Sequence, residues 1–199
     1  MPLIGLPPPL HRSQRVGVVV LDVISDFRFP GGGTVLSSLQ RRTVALRALL
    51  QRARTASIPV IYVNDNLGHW NSEFSALKAQ AAKSSPRAAR SIAALSPQAH
   101  DYVILKPRHS AFYGSPLEAL LEHLRISTLV LTGVSTESCV WITACDAHTR
   151  GFALIAPGDT MAGLSPKAIS ATLTGLCEVL HARTPRHAAS LRFTKGRLA

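Results

Sequence analysis

The chain of 199 residues contains few cysteines, few acidic residues and no long apolar run. Its three cysteines, Cys139, Cys145 and Cys177, are an odd number without a CxxC pair, which excludes a disulfide framework and favours reduced thiols. No apolar run reaches the roughly 18 residues of a membrane span. Prolines interrupt residues 1–15, where a signal peptide needs an apolar helix. We therefore expect a cytoplasmic protein that does not contact a membrane.

Acidic residues are outnumbered by basic ones, 11 against 22, and the formal net charge is +11. The excess concentrates at the ends, because residues 183–199 contain five basic and no acidic residues. A basic tail can bind nucleic acid through its phosphates, but no DNA- or RNA-reading motif accompanies this one, so nucleic acid is not favoured as a partner. We predict a basic, proline-rich arm over residues 1–15, one domain over 16–182, and a basic tail over 183–199 with room for a last short strand.

Short apolar runs alternate with segments of helical periodicity along residues 16–182. β-Branched runs of this kind suit strands that are buried on both faces of a parallel sheet. The pattern predicts an α/β fold with three α/β/α layers and a doubly wound, mostly parallel, six-stranded sheet. The clearest predicted strands are residues 16–21, 59–63, 102–105, 128–132 and 152–155. Residues 64–101 read as a lid or insertion with short helices near 74–82 and 86–95.

Three residues at or just beyond the ends of predicted strands are the candidates for the catalytic side chains. Asp22 follows the first strand, Lys106 follows the third, and Cys139 lies shortly after the fourth. Ligands of open parallel sheets bind outside the carboxyl ends of the strands, so these side chains should converge. They would supply a base, a cation and a nucleophile for acyl transfer.

The position of Cys139 near a helix start favours a thiolate, because the helix dipole stabilises negative charge there. An inert, buried cysteine is the alternative reading. Backbone N–H groups of Ser135 and Cys139 are candidates for an oxyanion hole in the turn before the helix. Cys145 and Cys177 read as core residues.

Three segments, Val-Leu-Asp22-Val-Ile-Ser-Asp-Phe27, Leu-Lys106-Pro-Arg-His-Ser-Ala-Phe112 and Leu-Thr-Gly133-Val-Ser-Thr-Glu-Ser-Cys139-Val, resemble motifs of the isochorismatase-like cysteine hydrolases. The resemblance covers roughly residues 15–182. It implies an Asp-Lys-Cys triad on a six-stranded parallel sheet that hydrolyses small amides through a covalent thioester. It also implies a homo-oligomer, a dimer or tetramer, and a cis peptide bond between Val134 and Ser135.

One family motif is incomplete. Nicotinamidases of the family bind a metal through an Asp-x-His pair and a later histidine, whereas here Asp65 is followed by Asn66 and Leu67. We therefore predict no metal and no cofactor, and we expect His69 to face solvent or substrate. The incomplete metal motif also argues against nicotinamide as the substrate. The retained Cys139 argues against vinyl-ether cleavage as the reaction.

The sequence thus predicts a hydrolase that cleaves a C–N bond of a small amide, carbamoyl or ureido compound. The alternative is a catalytically degenerate binding protein of the same fold, whose basic tails contact nucleic acid or an acidic partner. Six aromatic or imidazole side chains are candidates for the pocket wall, and packing onto the core is an equal alternative for each. These residues are Phe27, His69, Trp70, Phe112, Tyr113 and Trp141.

Overall fold

A parallel sheet forms the centre of the fold, in a computed structural model that describes residues 15–71 and 73–198. Most of the predicted N-terminal arm therefore lies outside the described residues. The five parallel strands are β1 Arg15–Leu21, β2 Val60–Asp65, β3 Tyr102–Lys106, β4 Ile126–Gly133 and β5 Ala153–Ile155. They lie side by side in the order β3-β2-β1-β4-β5.

The apolar run of β1 exists because both of its faces are covered. Val18 and Val20 pack into one hydrophobic core, while Val19 and Leu21 pack into the other. Side chains alternate along a strand, so a strand between two cores needs apolar residues at every position. This explains why an uninterrupted β-branched run, rather than an alternating pattern, marks the central strand.

Helices cover both faces of the sheet, and the predicted three-layer α/β/α architecture is confirmed. The six α-helices are α1 Gly32–Thr55, α2 Phe74–Ala82, α3 Pro86–Leu95, α4 Leu117–His123, α5 Trp141–Thr149 and α6 Pro166–Glu178. Side chains of α1 to α3 contribute to one core and those of α4 to α6 to the other. The two short helices expected between residues 64 and 101 are present as α2 and α3. None of the helices in the described ranges is long and apolar enough to cross a membrane.

The sheet is mostly parallel, as predicted, and it has seven strands within the described residues where six were predicted. Beside β5, only a short stretch around Arg183 pairs in parallel, with a bridge between Ile155 and Arg183. Pro185 lies two residues after Arg183, and a proline cannot donate to a ladder, which limits the pairing there. The remaining strands, β6 Phe193–Thr194 and β7 Arg197–Leu198, form an antiparallel pair, and β7 also pairs with β1. These two strands occupy the segment in which the sequence left room for a last short strand.

Residues 183–198 pack against the domain rather than extending from it as a tail. Ala188 and Leu191 are buried in one core. The Arg52 guanidinium of α1 donates to the carbonyl oxygens of Ala188 at 2.8 Å and Leu191 at 3.1 Å. These contacts place residues 183–198 on the domain, and the short strands β6 and β7 lie within the predicted tail.

The strand order places a natural binding crevice between β1 and β4. After β1 the chain builds β2 and β3 on one side, and it then crosses to place β4 and β5 on the other. The helices that follow the two central strands diverge at such a reversal and leave a crevice outside the carboxyl ends. Asp22 and Cys139 follow the two strands that border this point.

Candidate active site

Asp22 is the first residue after β1, where the buried strand reaches the carboxyl edge of the sheet. Its backbone φ of 51° lies in the left-handed region, which aspartate tolerates better than most residues. The side chain is 11% exposed. Its Oδ1 accepts a hydrogen bond from the Asp65 N–H at 2.6 Å. The carboxylate is thus held by the backbone at the end of β2.

Lys106, the last residue of β3, reaches this carboxylate from a fully buried position. Its Nζ lies 2.8 Å from Asp22 Oδ2 and 3.8 Å from Asp65 Oδ2, and it donates to the Arg108 carbonyl at 3.1 Å. A buried ammonium is costly unless it is paired and hydrogen-bonded, and here each contact offsets part of that cost. Lys106 is therefore fixed between the strand ends.

Cys139 lies in a π-helical turn, Thr136–Val140, that links β4 to α5. Gly133 permits this turn, because it has a φ of 111° and an added Cβ would lie 2.1 Å from the Leu21 carbonyl oxygen. The next peptide bond, between Val134 and Ser135, is cis, as the resemblance implies. The Cys139 Sγ lies 3.7 Å from Lys106 Nζ. The three predicted catalytic side chains are therefore together.

Burial and charge decide the protonation of this cluster. Burial raises the pKa of Asp22, although the Lys106 ammonium opposes the rise. Burial is the largest single influence and lowers the pKa of Lys106, but the negative charges of Asp22, Cys139 and Asp65 and the hydrogen bond to Asp22 together outweigh it, so the net shift is upward. Burial and the nearby Asp22 charge raise the pKa of the Cys139 thiol to about 12. Burial and the Asp22 charge thus both favour the thiol form of Cys139 over the thiolate.

This upward shift of the Cys139 pKa opposes the thiolate that a helix start would favour. The turn that carries Cys139 is half-buried, and the Asp22 carboxylate faces the sulfur. Desolvation and a like charge both disfavour the thiolate, and they outweigh the attraction of Lys106.

We predict that Asp22→Asn accelerates alkylation of Cys139 at neutral pH while it abolishes hydrolysis. Removing the carboxylate charge lowers the thiol pKa, and each unit gives about tenfold more thiolate. The measurement is iodoacetamide labelling across a pH series with peptide mass spectrometry. Exposed Cys177, labelled in the same tube, is the internal control. Slower labelling of Cys139 in the variant would contradict this electrostatic account.

The six candidates for the pocket wall fall into two groups. Trp70 and Tyr113 are exposed by 80% and 62%, and His69 is exposed as well.

The other three candidates pack against neighbouring side chains. Phe112 is buried beside Phe152, and the Arg150 guanidinium lies over its ring. Trp141 packs against α6 where Gly175 leaves space. Phe27 is buried in the core of the α1 face. Phe112, Trp141 and Phe27 thus have packing contacts that explain their positions, and the wall role stays a prediction for all six.

One histidine at the site was not expected from the sequence. His109 Nδ1 lies 3.7 Å from Cys139 Sγ. The sequence feature that could have indicated His109 is its position three residues after Lys106, which places it at the same edge of the sheet. Asp65 is the aspartate of the incomplete Asp-x-His metal motif. Its carboxylate faces Lys106 and accepts a hydrogen bond from the Leu67 N–H at 2.7 Å. Within residues 15–71 and 73–198, no group of three or more His, Cys, Asp or Glu could hold a metal ion.

Comparisons with known proteins agree with this geometry. YaaI of Bacillus subtilis (strain 168), described as an uncharacterized isochorismatase family protein, is 30% identical over 165 residues, which are 83% of this chain and 90% of that protein. The ureidoacrylate amidohydrolase RutB of Methylorubrum extorquens is 40% identical over 76 residues, which are 38% of this chain and 31% of that protein.

The crystal structure of N-carbamoylsarcosine amidase from Thermoplasma acidophilum is 25% identical, with a TM-score of 0.64 over 86% of this chain and 96% of that chain. The isochorismatase domain family matches residues 16–181. The match spans the five parallel strands, all six helices and the three residues of the cluster. The chain therefore belongs to the isochorismatase family of hydrolases.

Proposed function

We propose that this protein is a cysteine hydrolase that cleaves a C–N bond of a small amide, carbamoyl or ureido compound through a thioester on Cys139. One observation carries the proposal: Lys106 Nζ lies within 2.8 Å of Asp22 Oδ2 and 3.7 Å of Cys139 Sγ. A base, a cation and a nucleophile meet at the carboxyl edge of the sheet. Two relatives, N-carbamoylsarcosine amidase and ureidoacrylate amidohydrolase, are named for substrates that carry a carbamoyl group on nitrogen.

In the first step, Asp22 accepts the thiol proton while Cys139 Sγ attacks the carbonyl carbon. The carbonyl oxygen becomes an oxyanion, which we assign to the backbone N–H groups of Ser135 and Cys139 in the turn after β4. When the intermediate collapses, the C–N bond breaks and its electron pair goes to nitrogen. The nitrogen takes the proton from Asp22, and ammonia or an amine leaves.

In the second step, water adds to the thioester carbon and the C–S bond breaks. The acid product leaves and the Cys139 thiol is restored. Lys106 serves both steps, because its fixed positive charge lies beside the sulfur and the Asp22 carboxylate. Since the ammonium is buried, water screens its charge little, which strengthens its effect on negative charge that develops at the sulfur.

A panel of small compounds tests the proposal. Ammonia release should be measured with N-carbamoyl amino acids, ureido acids, simple amides and nicotinamide. We expect release from a carbamoyl or ureido compound and little from nicotinamide, because the Asp-x-His metal pair is incomplete. Failure of every amide and ureide in the panel, with the protein folded, would contradict the proposed reaction.

We also propose the cytoplasm as the compartment, where Cys139, Cys145 and Cys177, all free thiols in the structure, would stay reduced. Self-association into a dimer or tetramer remains a prediction from the family resemblance. Light scattering after size-exclusion chromatography would test it, and a monomeric mass would contradict it.

A further inference from the structure

His109 contacts the reacting sulfur but has no part in the steps described above. It lies in the loop after β3, its side chain is exposed, and its Nδ1 is 3.7 Å from Cys139 Sγ. Asp22 and Lys106 approach the sulfur from the protein interior, since their side chains are 11% and 0% exposed. An imidazole therefore stands on the solvent side of the nucleophile.

The thioester must be attacked by a water molecule that arrives from solvent. Asp22 is poorly placed to take a proton there, because its side chain is only 11% exposed and lies on the interior side of the sulfur. The thioester carbon would be bonded to Sγ, close to the exposed imidazole. A water hydrogen-bonded to His109 Nδ1 would thus lie next to the carbon that it must attack.

We infer that His109 is the general base of thioester hydrolysis, an inference that rests on the proposed function. Neutral His109 takes a proton from water at Nδ1 as the water oxygen bonds to the thioester carbon. The tetrahedral intermediate then collapses, the C–S bond breaks and its electron pair stays on sulfur. The imidazolium returns the proton to Sγ across the observed contact, which restores the thiol and the neutral imidazole. Asp22 serves acylation and His109 serves deacylation.

The test follows the two steps separately in the full chain. p-Nitrophenyl acetate is the probe, because nitrophenolate release reports acylation and acid-quenched mass spectrometry of the Cys139 peptide reports breakdown of the acetyl thioester. In His109→Ala we expect near-normal acylation and breakdown slowed by about 10²-fold, the usual size of a general-base contribution. Added imidazole should restore much of the lost rate, which a purely structural role would not allow.

His100→Ala is the matched control, since His100 is an exposed histidine in the loop before β3. It should acetylate and deacetylate like the wild type. Equal breakdown rates in wild type and His109→Ala, slow breakdown that imidazole does not restore, or a defect confined to acylation would each overturn the role of His109 and leave the thioester mechanism standing. If wild-type Cys139 never becomes acetylated, the thioester mechanism itself fails, and this inference falls with it.

Discussion

Cys139→Ala should lower hydrolysis by about 10⁴-fold or more, because we propose that the thiol beside Lys106 attacks the substrate. The fold should survive, since the turn that carries Cys139 is anchored elsewhere. The Thr136 N–H and hydroxyl both donate to the Ala162 carbonyl, and Glu137 Oε1 accepts from the Leu164 N–H at 2.8 Å. Steady-state ammonia release and thermal unfolding would measure the two expectations.

Cys177→Ala provides the matched control, because Cys177 is exposed on α6. We expect wild-type activity and stability from it. Turnover by Cys139→Ala within tenfold of the wild type would remove the cysteine nucleophile from the mechanism. A loss of activity that accompanies unfolding would instead show that the residue is structural.

Lys106→Met should destabilise the fold by about 3 kcal/mol at pH 7, because it leaves the Asp22 charge buried and without its ammonium partner. Burial already raises the Asp22 pKa, and loss of Lys106 removes the largest opposing influence. The folded state then binds the Asp22 proton more tightly than the unfolded state does. Stability should therefore fall as the pH rises through the interval between the unfolded and the raised folded pKa, and it should recover on acidification.

Urea unfolding of the Lys106→Met variant at pH 7 and pH 5 would measure this dependence against the wild type. The double variant Asp22→Asn/Lys106→Met is the control, because it removes the uncompensated charge. It should regain much of the lost stability and most of the pH dependence should vanish. A single variant as stable as the wild type at pH 7, or a double variant with the same deficit, would contradict the account of the ion pair.

The sequence predicts the parallel sheet and the close approach of Asp22, Lys106 and Cys139 for identifiable physical reasons. A strand between two cores must be apolar at every position, so β1 stands out as a continuous run that ends at Asp22. Parallel strands bring their carboxyl ends to one edge, which is why residues as distant in sequence as Asp22, Lys106 and Cys139 were expected to meet. In the structure, Lys106 Nζ lies 2.8 Å from the Asp22 carboxylate and 3.7 Å from the Cys139 sulfur.

The features that escaped prediction depend on contacts between distant segments. Arg52 of α1 anchors the chain near Leu191 through carbonyl contacts that leave no periodic pattern, so residues 183–198 read as a tail. The raised pKa of Cys139 depends on how deeply the turn is buried and on the charge of Asp22. The approach of His109 to the sulfur depends on the path of the loop after β3, which has no periodicity to reveal it.

The most direct measurement is mass spectrometry of the enzyme, quenched in acid during turnover of an accepted small amide or ureide. We predict an acyl group on the peptide that contains Cys139, present while substrate remains and absent after it is consumed. The adduct should be missing in Cys139→Ala. Turnover with no adduct even when breakdown is slowed in His109→Ala, or an adduct on another residue, would contradict a thioester on Cys139.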